Sequence, residues 1–148
     1  MVYKREFIKR IKEYVILSMN RKIELEYELK TRSGSAVWTL ISTPVGLKKW
    51  LADDVMIAED KAIFVWGDPL REHDTHTAAV VEMEKNSHIR FRWDTSDSDA
   101  YWEIRMFHSE IAGNYHLIVT DFAEDDDHEG LIRMWNQNIE RLHRITGV

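Results

Sequence analysis

The sequence predicts an α+β fold: an antiparallel sheet of about seven strands, two short helices after the first strand, and one long helix at the C-terminus. Three observations predict it. Apolar residues Leu131, Ile132, Trp135, Ile139, Leu142 and Ile145 recur at three-and-four spacing within residues 127–146, drawing one stripe along a helix. Residues 54–122 break into short apolar runs separated by turn residues. Upstream of them, one alternating segment is followed by two helix-start signals, Ser33 and Thr43-Pro44.

Residues 1–18 are read as a separate amphipathic extension, predicted helical, with Phe7, Ile8, Ile11, Tyr14 and Val15 at helical spacing among lysines and arginines. Such a helix packs on its own domain, on a membrane or on a partner; alternatively Met19 is the true start. One domain over residues 19–148 follows. In it Ile23, Leu25, Tyr27 and Leu29 alternate with Glu24, Glu26, Glu28 and Lys30, the pattern of a strand with one wet face. Ser33 caps a short helix carrying Val37, Trp38 and Ile41 inward, and Pro44 takes the first position of a second, which turns Leu47, Trp50 and Leu51 inward. Strands are expected near 54–59, 62–67, 74–84, 87–94, 100–107 and 115–123. Links such as Glu59-Asp60, Lys85-Asn86 and Gly113-Asn114 are too short for anything but antiparallel neighbours. Phe91 and Trp93 oppose Arg90 and Arg92; Trp102, Ile104 and Met106 oppose Tyr101, Glu103 and Arg105. The facing is open in Ile63–Trp66 and Leu117–Phe122, where both sides are apolar. Asp125, Asp126 and Asp127 stand where the long helix offers free N–H groups, and Arg141, His143, Arg144 and Gly147 mark its end.

Composition removes several functions. With 20 basic and 26 acidic residues the net charge is −6, which argues against a phosphate-binding surface and hence against nucleic acid. The absence of cysteine excludes thiol catalysis, disulfides and thiolate zinc sites, and suits a cytoplasmic location. No apolar run approaches the ~20 residues of a membrane span. His73 and His76 point to opposite faces of a strand, and the other histidines lack ligand spacing, so neither a metal nor a cofactor is predicted. The Asp125–His128 run lacks the alternating oxygens and the glycine of a calcium loop. No G-x-S-x-G elbow occurs. Arg92, Glu103, Arg105 and Asp121 alternate with the inward aromatics and are assigned to the outer face, so no catalytic residue is predicted and the chain is read as a non-enzyme.

The order of elements, with Thr43-Pro44 opening a short helix that runs to Lys49-Trp50-Leu51-Ala52-Asp53-Asp54, resembles the START-like or helix-grip superfamily, which includes the birch-pollen allergens. Trp50 matches the tryptophan that homologues of the heat-shock ATPase activator carry after their threonine-proline turn. Phe64-Val65-Trp66, Arg90-Phe91-Arg92-Trp93, Thr120-Asp121-Phe122-Ala123-Glu124 and Trp135 are similar to a small group of START-like proteins without assigned activity. The resemblance spans residues 20–147 and implies a curved sheet gripping the C-terminal helix around a hydrophobic cavity.

A pocket of that kind needs apolar walls and a few orienting polar groups. Trp50, Val55, Trp66, Phe91, Trp93, Trp102, Phe122, Met134 and Trp135 are the candidate ligand-binding residues; the competing reading is that they simply fill the interior. The leading expectation is a non-catalytic domain binding a small hydrophobic molecule, lipid-like or aromatic. The alternatives are a protein-interaction module resembling the heat-shock ATPase activator homologues, or a cyclase- or hydratase-like enzyme. Within the long helix, Leu131, Ile139, Leu142 and Ile145 are expected as anchors on the sheet, with Met134 and Trp135 lining the pocket.

Overall fold

Strands β1 (Lys22–Glu28) and β2 (Asp54–Ala58) follow one another along the chain yet occupy opposite edges of a single sheet. The computed structural model describes residues 21–68, 70–96, 99–124 and 127–148; the predicted N-terminal extension lies outside the described residues. Between the two edges run β3 (Lys61–Gly67), β4 (His73–Glu84), β5 (His88–Trp93), β6 (Trp102–His108) and β7 (Tyr115–Phe122), in the spatial order β1-β7-β6-β5-β4-β3-β2. Every pairing is antiparallel. Helices α1 (Gly34–Ser42) and α2 (Pro44–Lys48) carry the chain from one edge to the other, and α3 (His128–Thr146) closes it.

Local chemistry explains the boundaries. Ser33 Oγ accepts from Ala36 N at 3.2 Å and Thr43 Oγ1 from Gly46 N at 3.0 Å, so each short helix starts on a hydroxyl cap. Gly46 is required by close approach: a Cβ there would collide with the Thr39 carbonyl and lie 2.6 Å from Leu40 Cα. Asp127 Oδ1 caps α3 by accepting from Gly130 N at 3.0 Å, while Gly147, at φ 72°, ends it in the left-handed conformation. The hairpin turns use Glu59 and Asn86 at φ 57° and 61°, and a register shift between Val80 and Glu82 bends β4.

Alternation sorts the sheet into two faces. Phe64, Ile89, Phe91, Trp102, Ile104, Met106, Leu117 and Val119 are buried on the face that meets the helices. Trp50 lies beneath them, fully buried, its Nε1 donating to the Leu40 carbonyl at 3.0 Å, which ties the end of α2 to α1. Across the opposite face runs a polar row, in which Glu82, Arg90, Glu103, Thr120 and Glu24 are successive cross-strand neighbours. Glu103 is only 6% exposed there, with Arg90 Nη2 at 3.0 Å and Arg105 Nη2 at 3.5 Å from its Oε1. His88, buried on the same face, bonds Ser87 Oγ at 2.7 Å and Glu82 Oε1 at 2.8 Å.

The long helix differs from expectation at its ends. Trp135, Ile139 and Leu142 are buried, but Ile145 is 57% exposed and does not anchor on the sheet. Beyond the last turn Val148 packs against the core, and the chain closes by Lys30 N donating to the Val148 carbonyl at 2.7 Å. Along the same helix, Tyr27 on β1 donates its hydroxyl to Asn136 Oδ1 at 2.7 Å, and burial pushes that phenol up to about 12. Arg141 reaches Asp53 at 3.5 Å.

Candidate functional site

A cavity of about 740 Å³ opens between the N-terminal half of α3 and the strand ends of β3, β5, β6 and β7. Four indoles border it: Trp66, Trp93, Trp102 and Trp135. They form a continuous series, with ring centroids 6.2 Å apart for Trp66 and Trp93, 5.3 Å for Trp93 and Trp102, and 6.0 Å for Trp102 and Trp135. Leu51, Leu131 and Met134 complete the apolar wall. Strand alternation puts Trp66, Trp93 and Trp102 on one face, and the helical stripe turns Trp135 to meet them.

The candidate wall residues therefore divide. Trp66, Trp93, Trp102, Met134 and Trp135 border the cavity as rings and side chains of its two layers. Trp50, Val55 and Phe91 do not border it; they are buried in the core beneath, Phe91 stacked on Trp102 at 4.2 Å. Phe122 borders the cavity, but it follows inward-facing Asp121 in the strand, and its ring lies edge-on to Tyr101 at 5.2 Å. Leu131, expected as an anchor, packs against the core and also borders the cavity.

Asp121 overturns its assignment to the outer face. It pairs with Ile23 of β1 and shares the inward side of β7 with Leu117 and Val119. Its Oδ2 accepts from Trp135 Nε1 at 2.9 Å and its Oδ1 from Phe122 N at 2.7 Å. Burial, the largest influence, pushes this carboxyl up to about 6 against the lowering effect of both hydrogen bonds, and nearby Glu124 raises it further. The signal available in sequence was its place two residues on in the series Leu117, Val119, obscured by the apolar Ile118 and Phe122 at the alternate positions. Arg92, Glu103 and Arg105 do lie on the outer face, as β5 and β6 alternation requires.

Other polar groups rim the cavity. Arg21 borders it, its Nε donating to the Ala123 carbonyl at 2.7 Å, as do Glu124 and Asp127. Trp66 Nε1 donates to the Leu51 carbonyl at 3.0 Å. Trp102 Nε1 is sealed from solvent and has no hydrogen-bond partner among the described residues. His76 packs its ring against Trp66 at 5.6 Å, while His73 bonds the Arg71 carbonyl at 3.0 Å, so the two act separately. Among the described residues no three His, Asp or Glu side chains converge as metal ligands. No helix of the described residues is long and apolar enough to cross a membrane.

Comparison with known proteins gives the family. The START-like superfamily domain matches residues 17–148. A Bacteroides fragilis protein of known solution structure is 36% identical, covering 83% of this chain and 88% of its own, with a TM-score of 0.57. The AHSA1-like protein from Aeromonas hydrophila superposes with a TM-score of 0.69 at 13% identity, over 85% of this chain and 92% of that one. DynU16, a putative protein in the dynemicin biosynthetic locus, superposes with a TM-score of 0.68 at 17% identity, over 86% of this chain and 48% of that one. None of the curated proteins matches. The seven-stranded sheet gripping α3, together with a family match over most of the sequence, places this chain in the START-like superfamily.

Proposed function

We propose that this chain is a binding domain for a small hydrophobic molecule, lipid-like or aromatic, held between the sheet and α3. The observation that carries the reading is the cavity itself: about 740 Å³ of open cleft lies between the aromatic strand ends and the N-terminal half of α3. That volume lies in the ~300–1,000 Å³ range of small-molecule sites, and apolar walls with few polar groups are the usual lining. Binding would bury the half-exposed rings of Trp66 and Trp93. Native mass spectrometry and organic extraction of protein from its own cells should recover a small molecule. An empty extract, together with an unchanged melting temperature across lipid and aromatic panels, would overturn the proposal.

A second reading is favoured by Asp121. A cyclase- or hydratase-like enzyme needs a proton-transfer group at the cavity, and a carboxyl raised to about 6 is suited to that task near neutral pH. The binding reading stands first because, among the described residues, no second acid–base side chain hydrogen-bonds Asp121; its side-chain partner is the indole of Trp135. Turnover abolished in Asp121→Asn, with ligand affinity retained, would move the chain to the enzyme class.

A further inference from the structure

The geometry points to a cationic ligand: a hydrophobic amine or quaternary ammonium whose charged head sits among the indoles of Trp66, Trp93, Trp102 and Trp135 beside the carboxylate of Asp121. This rests on the reading of the cavity as a hydrophobic ligand site and specifies the chemistry of the head group. Two independent features support it. The first is the wall. Indole has the strongest cation-binding face of the aromatic side chains, and a cation shared among several such faces in a site shielded from water gains more than at an exposed ring. An all-aliphatic wall of equal area would serve an uncharged ligand as well; the partly exposed indoles of Trp66 and Trp93, backed by Trp102 and Trp135 at 2% exposure each, add an attraction specific to positive charge.

The second feature is charge. Asp121, Glu124 and Asp127 border the cavity against one guanidinium, that of Arg21, whose Nε already donates to the Ala123 carbonyl. Among the described residues none forms an ion pair with Asp121, and the charged neighbour that acts on it, Glu124, has the same sign. A carboxylate pushed up by burial is one without a countercharge, which an entering ammonium would supply. A carboxylate or phosphate head would meet the opposite: three like charges at the rim. Nor does the sealed indole N–H of Trp102 offer an acidic head a donor.

The test uses the full chain and three probes with one tail: decyltrimethylammonium, decanol and decanoate, each below its micellar concentration, followed by calorimetry. The ammonium should bind about tenfold tighter than decanol, and decanoate weakest. Asp121→Asn, which keeps the acceptor for Trp135, and protein labelled globally with fluorotryptophan, whose ring faces are electron-poor, should each narrow the ratio of ammonium to decanol affinity. Circular dichroism checks that both remain folded. Decanol or decanoate binding as tightly as the ammonium would overturn the inference and leave the hydrophobic-site reading intact. So would an ammonium preference that survives both changes, since it would then come from the acidic surface. Failure of all three probes to bind would overturn both readings together.

Discussion

Asp121 on β7 and Trp135 on α3 meet through a single hydrogen bond, Nε1 to Oδ2 at 2.9 Å, across the seam where the cavity opens. The bond ties the N-terminal half of the helix to the sheet beside the cavity. The same two residues also define the polar and aromatic sides of the site, so stability and ligand chemistry are coupled there.

The coupling has a definite pH dependence. Asp121 ionises near its ordinary 3.8 when unfolded and at about 6 when folded, because burial disfavours the charged form. A folded-state value above the unfolded one means that the native state holds the proton more tightly. Its stabilising contribution is therefore complete below the unfolded value and is lost as pH rises through the folded one. Asp121→Asn should remove that loss: equal to the parent near pH 4 and more stable above pH 6, by about 2 kcal/mol after allowing for partial exposure. Urea denaturation across this range measures it; parallel profiles for parent and variant would refute it.

Trp135→Phe isolates the other partner. The ring still covers the cavity floor, but the carboxylate loses one of its two donors. Losing a bond to a charged group costs about 1.5–3 kcal/mol, so the variant should be destabilised by roughly that at pH 7. The cost should shrink as pH falls through about 6 and be smallest near pH 4, because folded Asp121 is then protonated and the bond weakens. Thermal or urea unfolding at both pH values reads the difference, and a cost independent of pH would mean that only packing was lost.

Much of the fold was legible because its determinants are local. Thr43-Pro44, the Glu59-Asp60 and Lys85-Asn86 turns, and the alternation in β6 each carry their geometry in a few adjacent residues. Long-range facts were not. The strand Leu117–Phe122 is apolar on both faces, Phe122 packing against Tyr101 on the outer one, so the periodic trace of Asp121's inward turn was masked. A charged residue on the outer face reads as solvated, yet Arg90 and Arg105 enclose Glu103 from neighbouring positions of the sheet. Periodicity also continues to the end of the helix whether or not each position is covered, which is why Ile145 reads as an anchor and stands exposed. For the candidate site, an apolar face gives no depth: Phe91 and Trp93 share one, and only Trp93 reaches the cavity.

That difference in depth is testable with two tryptophans. Trp50 is fully enclosed and bonded to the Leu40 carbonyl, whereas Trp93 is half-buried on the cavity wall. Trp50→Ala should cost about 3–5 kcal/mol, the range for emptying a core site, and leave affinity unchanged in the molecules that remain folded. Trp93→Ala should cost less stability but weaken ligand binding by about tenfold or more. Unfolding curves paired with calorimetry on the same preparations separate the two; equal effects of both variants on affinity would mean that the wall and the core are not distinct.

The outer face supplies a control for all of these. Glu103 is enclosed by Arg90, whose Nε and Nη2 lie 3.2 and 3.0 Å from Oε1, and by Arg105 at 3.5 Å, while the Arg90 guanidinium lies 4.1 Å from the Tyr101 ring centre. Glu103→Gln keeps the shape and removes the charge, leaving two guanidiniums facing a neutral amide with Glu82 as the anion still within 3.4 Å of Arg90. Removing one partner of an enclosed ion cluster costs about 3–5 kcal/mol; the half-exposed arginines and the surviving Glu82 contact place this case at roughly 2–3 kcal/mol. Because neither Glu103 nor its two arginines border the cavity, probe affinity should be untouched. A variant that loses affinity as well as stability would show that the two faces of the sheet are coupled.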